Sequence, residues 1–218
     1  SGNAAEDGGG IHLGSYGTLE INNSTLSGNT AQRDYGNGSG GGTYSLQTVM
    51  ARNCTLSGNS AQLGGGIYND GLVELSNSTL SGNSAESSGG GIYNDVYGGG
   101  STSVLQVANC TFSGNSAPFA GGIYNDGGSS GHALLTVNAS TLNNNSASNL
   151  FGAGAIFNDG RSGSATLAIT NSTISSNSAT AMFSAGGIFN DGAPGSAILA
   201  LIASTLSGNS ATNSFSAG

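Results

Sequence analysis

GGGIYNDGLVELSNSTLSGN, residues 64–83, contains the repeat unit of this chain in nearly bare form. Val73 and Leu75 alternate with Glu74, the period of a half-buried strand. Leu80 then falls an odd number of residues beyond Leu75. Both can face one core only if the chain turns a corner near Ser76 and Asn77. A second strand follows at Ser78–Ser81 with Leu80 inward, and a third precedes at Gly66–Asn69 with Ile67 inward.

The unit recurs along the whole chain. NSTLSGN at Asn23 returns as NCTLSGN at Asn53, NSTLSGN at Asn77, NCTFSGN at Asn109, ASTLNNN at Ala139, NSTISSN at Asn171 and ASTLSGN at Ala203. The glycine-rich string returns around Ile11, Thr43, Ile67, Ile92, Ile123, Ile156 and Ile188. Spare residues enter only after the Asn-Asp pair, as from Val96, or before the glycines, as from Ser148. Insertions confined to fixed phases mark the corners of a solenoid. The expected fold is therefore all-β: a right-handed parallel β-helix of about seven rungs, three short strands per rung, roughly 34 Å long at the usual strand spacing. Residues 1–218 form one such unit. Pro118 and Pro194 fall in corner insertions, clear of the ladders.

Composition narrows the function. The net charge is −8, Lys is absent, and Arg33, Arg52 and Arg161 are the strong bases. Nothing here neutralises a phosphate backbone, so nucleic acid is not an expected partner. No apolar run approaches the ~20 residues that span a bilayer, so direct membrane insertion is not expected.

The repeat resembles that of the polymorphic outer-membrane proteins, whose signatures are GGAI-type and FxxN tetrapeptides. Phe112-Ser-Gly-Asn115 reads as FxxN, while Gly154-Ala155-Ile156 and Gly122-Ile123 approximate GGAI. The other copies place Leu or Ile where that family favours Phe. The resemblance covers essentially the whole chain, and implies a passenger β-helix at a bacterial surface, associated with adhesion.

Stacking turns each repeat position into a column. Asn29, Asn59, Asn83, Asn115, Asn145, Asn177 and Asn209 should form an amide ladder. Cys54 and Cys110 share a position with Ser24, Ser78, Ser140, Ser172 and Ser204. With the Ser78 rung between them, they should be ~9.6 Å apart, too far for a disulfide. Asp70, Asp95, Asp126, Asp159 and Asp191 form an acidic column, read as a solvated turn; calcium bridging between rungs is the sharper alternative. His12, Tyr44, Tyr68, Tyr93, Tyr124, Phe157 and Phe189 follow the inward aliphatics and should face outward, as a self-stacked stripe under the corner insertions or a surface for glycans or neighbouring rods. Thr25, Thr55, Thr79, Thr111, Thr141, Thr173 and Thr205 point outward with Ser27, Ser57, Ser81 and Ser113 two residues on. These hydroxyl ranks resemble the faces of β-helical ice-binding proteins, although Thr is also a good exposed strand residue.

Catalysis needs a rung that differs from its neighbours, and none stands out: His12 and His132 differ in phase, and Arg161 sits in an insertion. No enzymatic activity, cofactor or resident metal is expected. Ser1 enters mid-repeat and Phe215–Gly218 stops before the next strand, so a slice of a longer repeat or a filament subunit stacking end to end on itself is expected. The leading expectation is an extracellular or cell-surface structural solenoid, an adhesin stalk or filament. A binding module for ice or surface glycans is the alternative. Asn-x-Ser/Thr strings at Asn23, Asn53, Asn77, Asn109 and Asn171 match glycosylation acceptors, but the repeat generates them automatically.

Overall fold

Parity, corners and close backbone approach shape each rung in the computed structural model, which describes residues 1–32, 38–96, 100–128 and 130–212. Arg33, part of the insertion after Val96 and the Phe215–Gly218 end lie outside them. One rung runs Ile67–Asn69, Leu72–Ser76, Thr79–Ser81 and Ser84–Ser88. Every strand pairs in parallel with its counterparts on adjacent rungs, giving one eight-stranded and three seven-stranded sheets. Among the described residues there is no helix. The chain is a parallel β-solenoid.

The parity break sits at the expected corner. Asn77 has φ 49°, and Asn53, Asn109 and Asn171 adopt the same left-handed conformation, which Asn tolerates better than most residues. Leu75 and Leu80, on either side of the corner, are both buried. Ile67, Val73, Leu75 and Leu80 join their equivalents in one apolar cluster that extends along the axis.

A fourth strand per rung corrects the expected three. After Leu80 the chain passes through Gly82, φ 61°, turns at buried Asn83 and forms the Ser-Ala strand. Most copies of this strand have two residues, as at Ser116–Ala117 and Ser146–Ala147. That is too short to display alternation in a sequence.

The two cysteines are free and buried, in the column of inward serines. Cys54 Sγ donates to the Arg52 carbonyl at 3.2 Å, and Cys110 Sγ to that of Ala108 at 3.1 Å. Ser78 Oγ makes the same bond to Ser76 at 2.8 Å, and also accepts the Cys54 N–H at 2.9 Å.

The second glycine of each cluster is fixed by close approach. A Cβ on Gly41 would lie 2.5 Å from the Ser60 carbonyl oxygen, whereas one on Gly14 would find its nearest neighbour, the His12 side chain, at 4.0 Å. Gly41→Ala should therefore lower thermal stability by ~2 kcal/mol or more through backbone displacement, and Gly14→Ala should change it by less than ~1 kcal/mol. Paired chemical denaturation curves measure the difference; equal losses would contradict this packing account.

Candidate functional site

The Asn ladder is continuous. Asn29 Nδ2 donates to Asn59 Oδ1 at 2.9 Å, Asn59 to Asn83 at 3.0 Å and Asn83 to Asn115 at 3.0 Å. Asn115, Asn145 and Asn177 pass the same bond on to Asn209, each at 2.9 Å. Each acceptor oxygen also takes the backbone N–H of the Asn before it, as from Asn59 to Asn83 at 3.0 Å. The second amide hydrogen goes back to a carbonyl, as from Asn83 Nδ2 to Leu56 at 3.0 Å.

A second ladder was not recognised in the sequence. Asn69 donates to Asn94 at 2.6 Å, and Asn94, Asn125 and Asn158 donate onward to Asn125, Asn158 and Asn190 at 2.7 Å. The signal was present: Asn69 lies two residues beyond inward Ile67, so alternation points it inward as well.

The aromatic column points away from the aliphatic lumen but is not an open stripe. Tyr68, Tyr93, Tyr124 and Phe157 are buried, forming a second cluster with Ala120 and Ala153, against which Tyr44, Leu63, Phe119 and Phe189 pack. Two causes close it. Residues before the glycines cross over the rings, and the rings cover one another: Tyr44–Tyr68, Tyr68–Tyr93 and Tyr93–Tyr124 stack with centroids 4.9, 5.7 and 5.1 Å apart. A glycan stacks on a free ring face, and these faces are occupied. Of the two alternatives, burial supports the self-stacked column under the corner insertions over the open surface. His12 extends the stack on Tyr44, with centroids 4.8 Å apart.

The acidic column is likewise more than a solvated turn. Tyr68 Oη donates to Asp95 at 2.5 Å, Tyr93 to Asp126 at 2.6 Å and Tyr124 to Asp159 at 2.5 Å, each bond crossing to the next rung. Where the column changes from Tyr to Phe157, no phenol can serve Asp191. Arg161 stands there instead. It pairs with Asp159 through Nη2 at 2.6 Å and Nε at 2.9 Å, approaches Asp191 Oδ2 at 3.7 Å, and lies 5.5 Å from the Phe157 centroid. Among the described residues no group of three or more His, Cys, Asp or Glu is placed to hold a metal ion.

These carboxylates titrate in opposite directions. Burial, the largest influence, pushes Asp95 and Asp126 above the ordinary range, partly offset by the hydrogen bonds from Tyr68 and Tyr93. Burial alone would also raise Asp159, but the hydrogen bonds from Arg161 and Tyr124 outweigh it and bring Asp159 below its ordinary value.

The hydroxyl column remains outward. Thr25 and Thr205 are exposed, and Thr55, Thr79, Thr111, Thr141 and Thr173 half-buried. All seven lie in one sheet, with Thr79 opposite Thr55 and Thr111. The Ser rank continues two residues on, with Asn143 replacing Ser on one rung.

Comparison with protein-family models, curated proteins and solved structures gives no match.

Two outcomes follow. Asn83→Ala strips the acceptor from the Asn59 N–H and amide and the donor from the Leu56 carbonyl. At ~1–3 kcal/mol for each buried group left unpaired, denaturant titration should register a loss of ~3 kcal/mol or more. The second concerns pH. A raised folded pKa means the native state binds the proton more tightly than the unfolded chain, so stability falls as pH rises from the ordinary carboxylate value, ~3.9, through the raised one. Asp126→Asn should accordingly raise the melting temperature at neutral pH, with the gain vanishing in acid. Asp159→Asn should lower it at neutral pH, the deficit closing as pH falls through the depressed value. Melting curves of both variants between pH 3 and 8 check the signs.

Proposed function

We propose that this chain is a non-enzymatic structural rod, an extracellular stalk or filament element whose role scales with its length. The supporting observation is the unbroken side-chain register: the same amide, aliphatic and hydroxyl columns continue from rung to rung. Among the described residues these three columns set no rung apart as a reaction centre needs to be. The groove along the Ser-Ala strands, lined by Thr30, Ser60, Ser84, Gln32, Gln62 and Glu86 together with alanines, offers a single carboxylate. A solenoid of this kind is stabilised by nearest-neighbour contacts, so rungs add length without a new core being needed. The likeness of the repeat to that of the polymorphic outer-membrane proteins supports the surface location and adhesion proposed.

Electron microscopy and sedimentation of the purified protein over a range of concentrations test this role. Stiff particles that lengthen end to end support the filament form, and stiff monomers support the stalk. A flexible, collapsing particle would sink both.

A second reading rests on the Thr sheet, whose hydroxyl ranks are outward and in register on seven strands. A face of this kind suits ordered water, and hence ice. Thermal hysteresis that falls several-fold in Thr79→Leu/Thr111→Leu, with the fold retained, would favour it; no hysteresis in the parent protein would remove it.

A further inference from the structure

The tyrosine column carries more chemistry than a structural stack requires. Tyr44, Tyr68, Tyr93 and Tyr124 lie ring over ring, with interplanar angles of 11°, 8° and 15°. Phe157 and Phe189 show that a phenyl ring alone occupies the column. Yet Tyr68, Tyr93 and Tyr124 each direct a phenolic O–H at a carboxylate oxygen 2.5–2.6 Å away. A phenol gives up an electron far more readily when its proton can leave in the same step, and a base held at hydrogen-bond distance is what that step needs.

We propose that the Tyr44–Tyr124 column is a redox relay: it yields an electron to a diffusible one-electron oxidant at the protein surface, and the hole passes along the solenoid axis from ring to ring. In the first step Tyr68, the hydrogen-bonded phenol nearest to the Tyr44–His12 end of the stack, transfers one electron to the oxidant, which is reduced by one electron. Its O–H bond breaks, the proton bonds to Asp95, and a neutral phenoxyl beside a carboxylic acid remains. In the next step an electron moves from Tyr93 to the Tyr68 phenoxyl. Asp95 returns its proton to Tyr68, and Tyr93 passes its own to Asp126. Each proton moves only along the hydrogen bond between a phenol and its own carboxylate on the next rung, so none has to leave the column.

The two ends of the column differ. Phe157 and Phe189 continue the stack without a transferable proton, so the hole stops at Tyr124. Arg161 Nη2 lies 3.5 Å from the Tyr124 oxygen and pairs with Asp159, weakening that carboxylate as a base. The hole therefore settles on Tyr68 and Tyr93. At the other end Tyr44 is half-buried and stacks on the exposed imidazole of His12, which gives the oxidant its closest approach.

Tyr16 is fully exposed and would react by itself, so the test uses a Tyr16→Phe/Tyr35→Phe/Tyr97→Phe background. Photogenerated tris(bipyridyl)ruthenium(III) serves as oxidant, with transient absorption and electron paramagnetic resonance as readouts. The background protein should still form a neutral phenoxyl radical. Adding Tyr68→Phe and Tyr93→Phe should remove most of it while circular dichroism and melting confirm the fold. Asp95→Asn with Asp126→Asn keeps a hydrogen-bond acceptor but removes the base; it should slow radical formation on the order of a hundred-fold and abolish the solvent deuterium effect. A background protein that forms no radical, or an Asp95→Asn/Asp126→Asn rate equal to the background's, would overturn the relay.

Discussion

The constraint on which this structure depends is that every inward side chain must pack on its own counterpart one rung away. The Asn ladders show what this entails. Asn83 Oδ1 accepts two N–H groups from the rung before, while its amide donates forward to Asn115 and back to Leu56. Both ladders donate in the same direction along the axis, so the amide dipoles align and each bond polarises the next. A register slip between rungs would break the backbone pairing and both ladders together. Length variation is therefore pushed out to the segments after the Asn-Asp pair and before the glycines, which carry neither ladder.

The same rule accounts for an acidic column in a chain with three strong bases. Stacking the Asn-Asp-Gly turn forces carboxylates into a line, and their repulsion must be offset locally. The phenols do this by donating across rungs, and where Phe157 supplies none, Arg161 takes over. Aromatic burial and carboxylate neutralisation are thus one arrangement: a second core outside the aliphatic lumen, closed by rings on one side and hydrogen-bonded acids on the other.

How far the sequence revealed this depends on the direction in which each interaction runs. Alternation within a strand located Val73, Leu75, Leu80 and Ile67, and the odd spacing from Leu75 to Leu80 located the corner at Asn77. Column spacing placed Cys54 and Cys110 on rungs separated by that of Ser78. These are features along a strand or within one column. The Tyr–Asp bonds run diagonally, from Tyr68 in one rung to Asp95 in the next, and columns read singly do not reveal diagonals. Burial of the rings depended on Phe119, Ala120 and Ala153, which lie in insertions of differing sequence. The fourth strand escaped because two residues have no period.

Rung-by-rung stacking also limits the kinds of function such a molecule can tune. Each rung adds nearly the same interface, so lengthening changes reach and the number of outward ranks without altering the core. A single substitution inside a column is felt by two neighbouring rungs, and its effect can be offset only there, as Arg161 offsets Phe157. Chemistry that depends on one unique pocket fits poorly under that rule. Properties that accumulate along the axis fit well: stiffness, hydroxyl ranks and continuous ring stacking. The outward Thr sheet and the Tyr–Asp core are the two arrangements that repetition extends along the axis without altering the lumen.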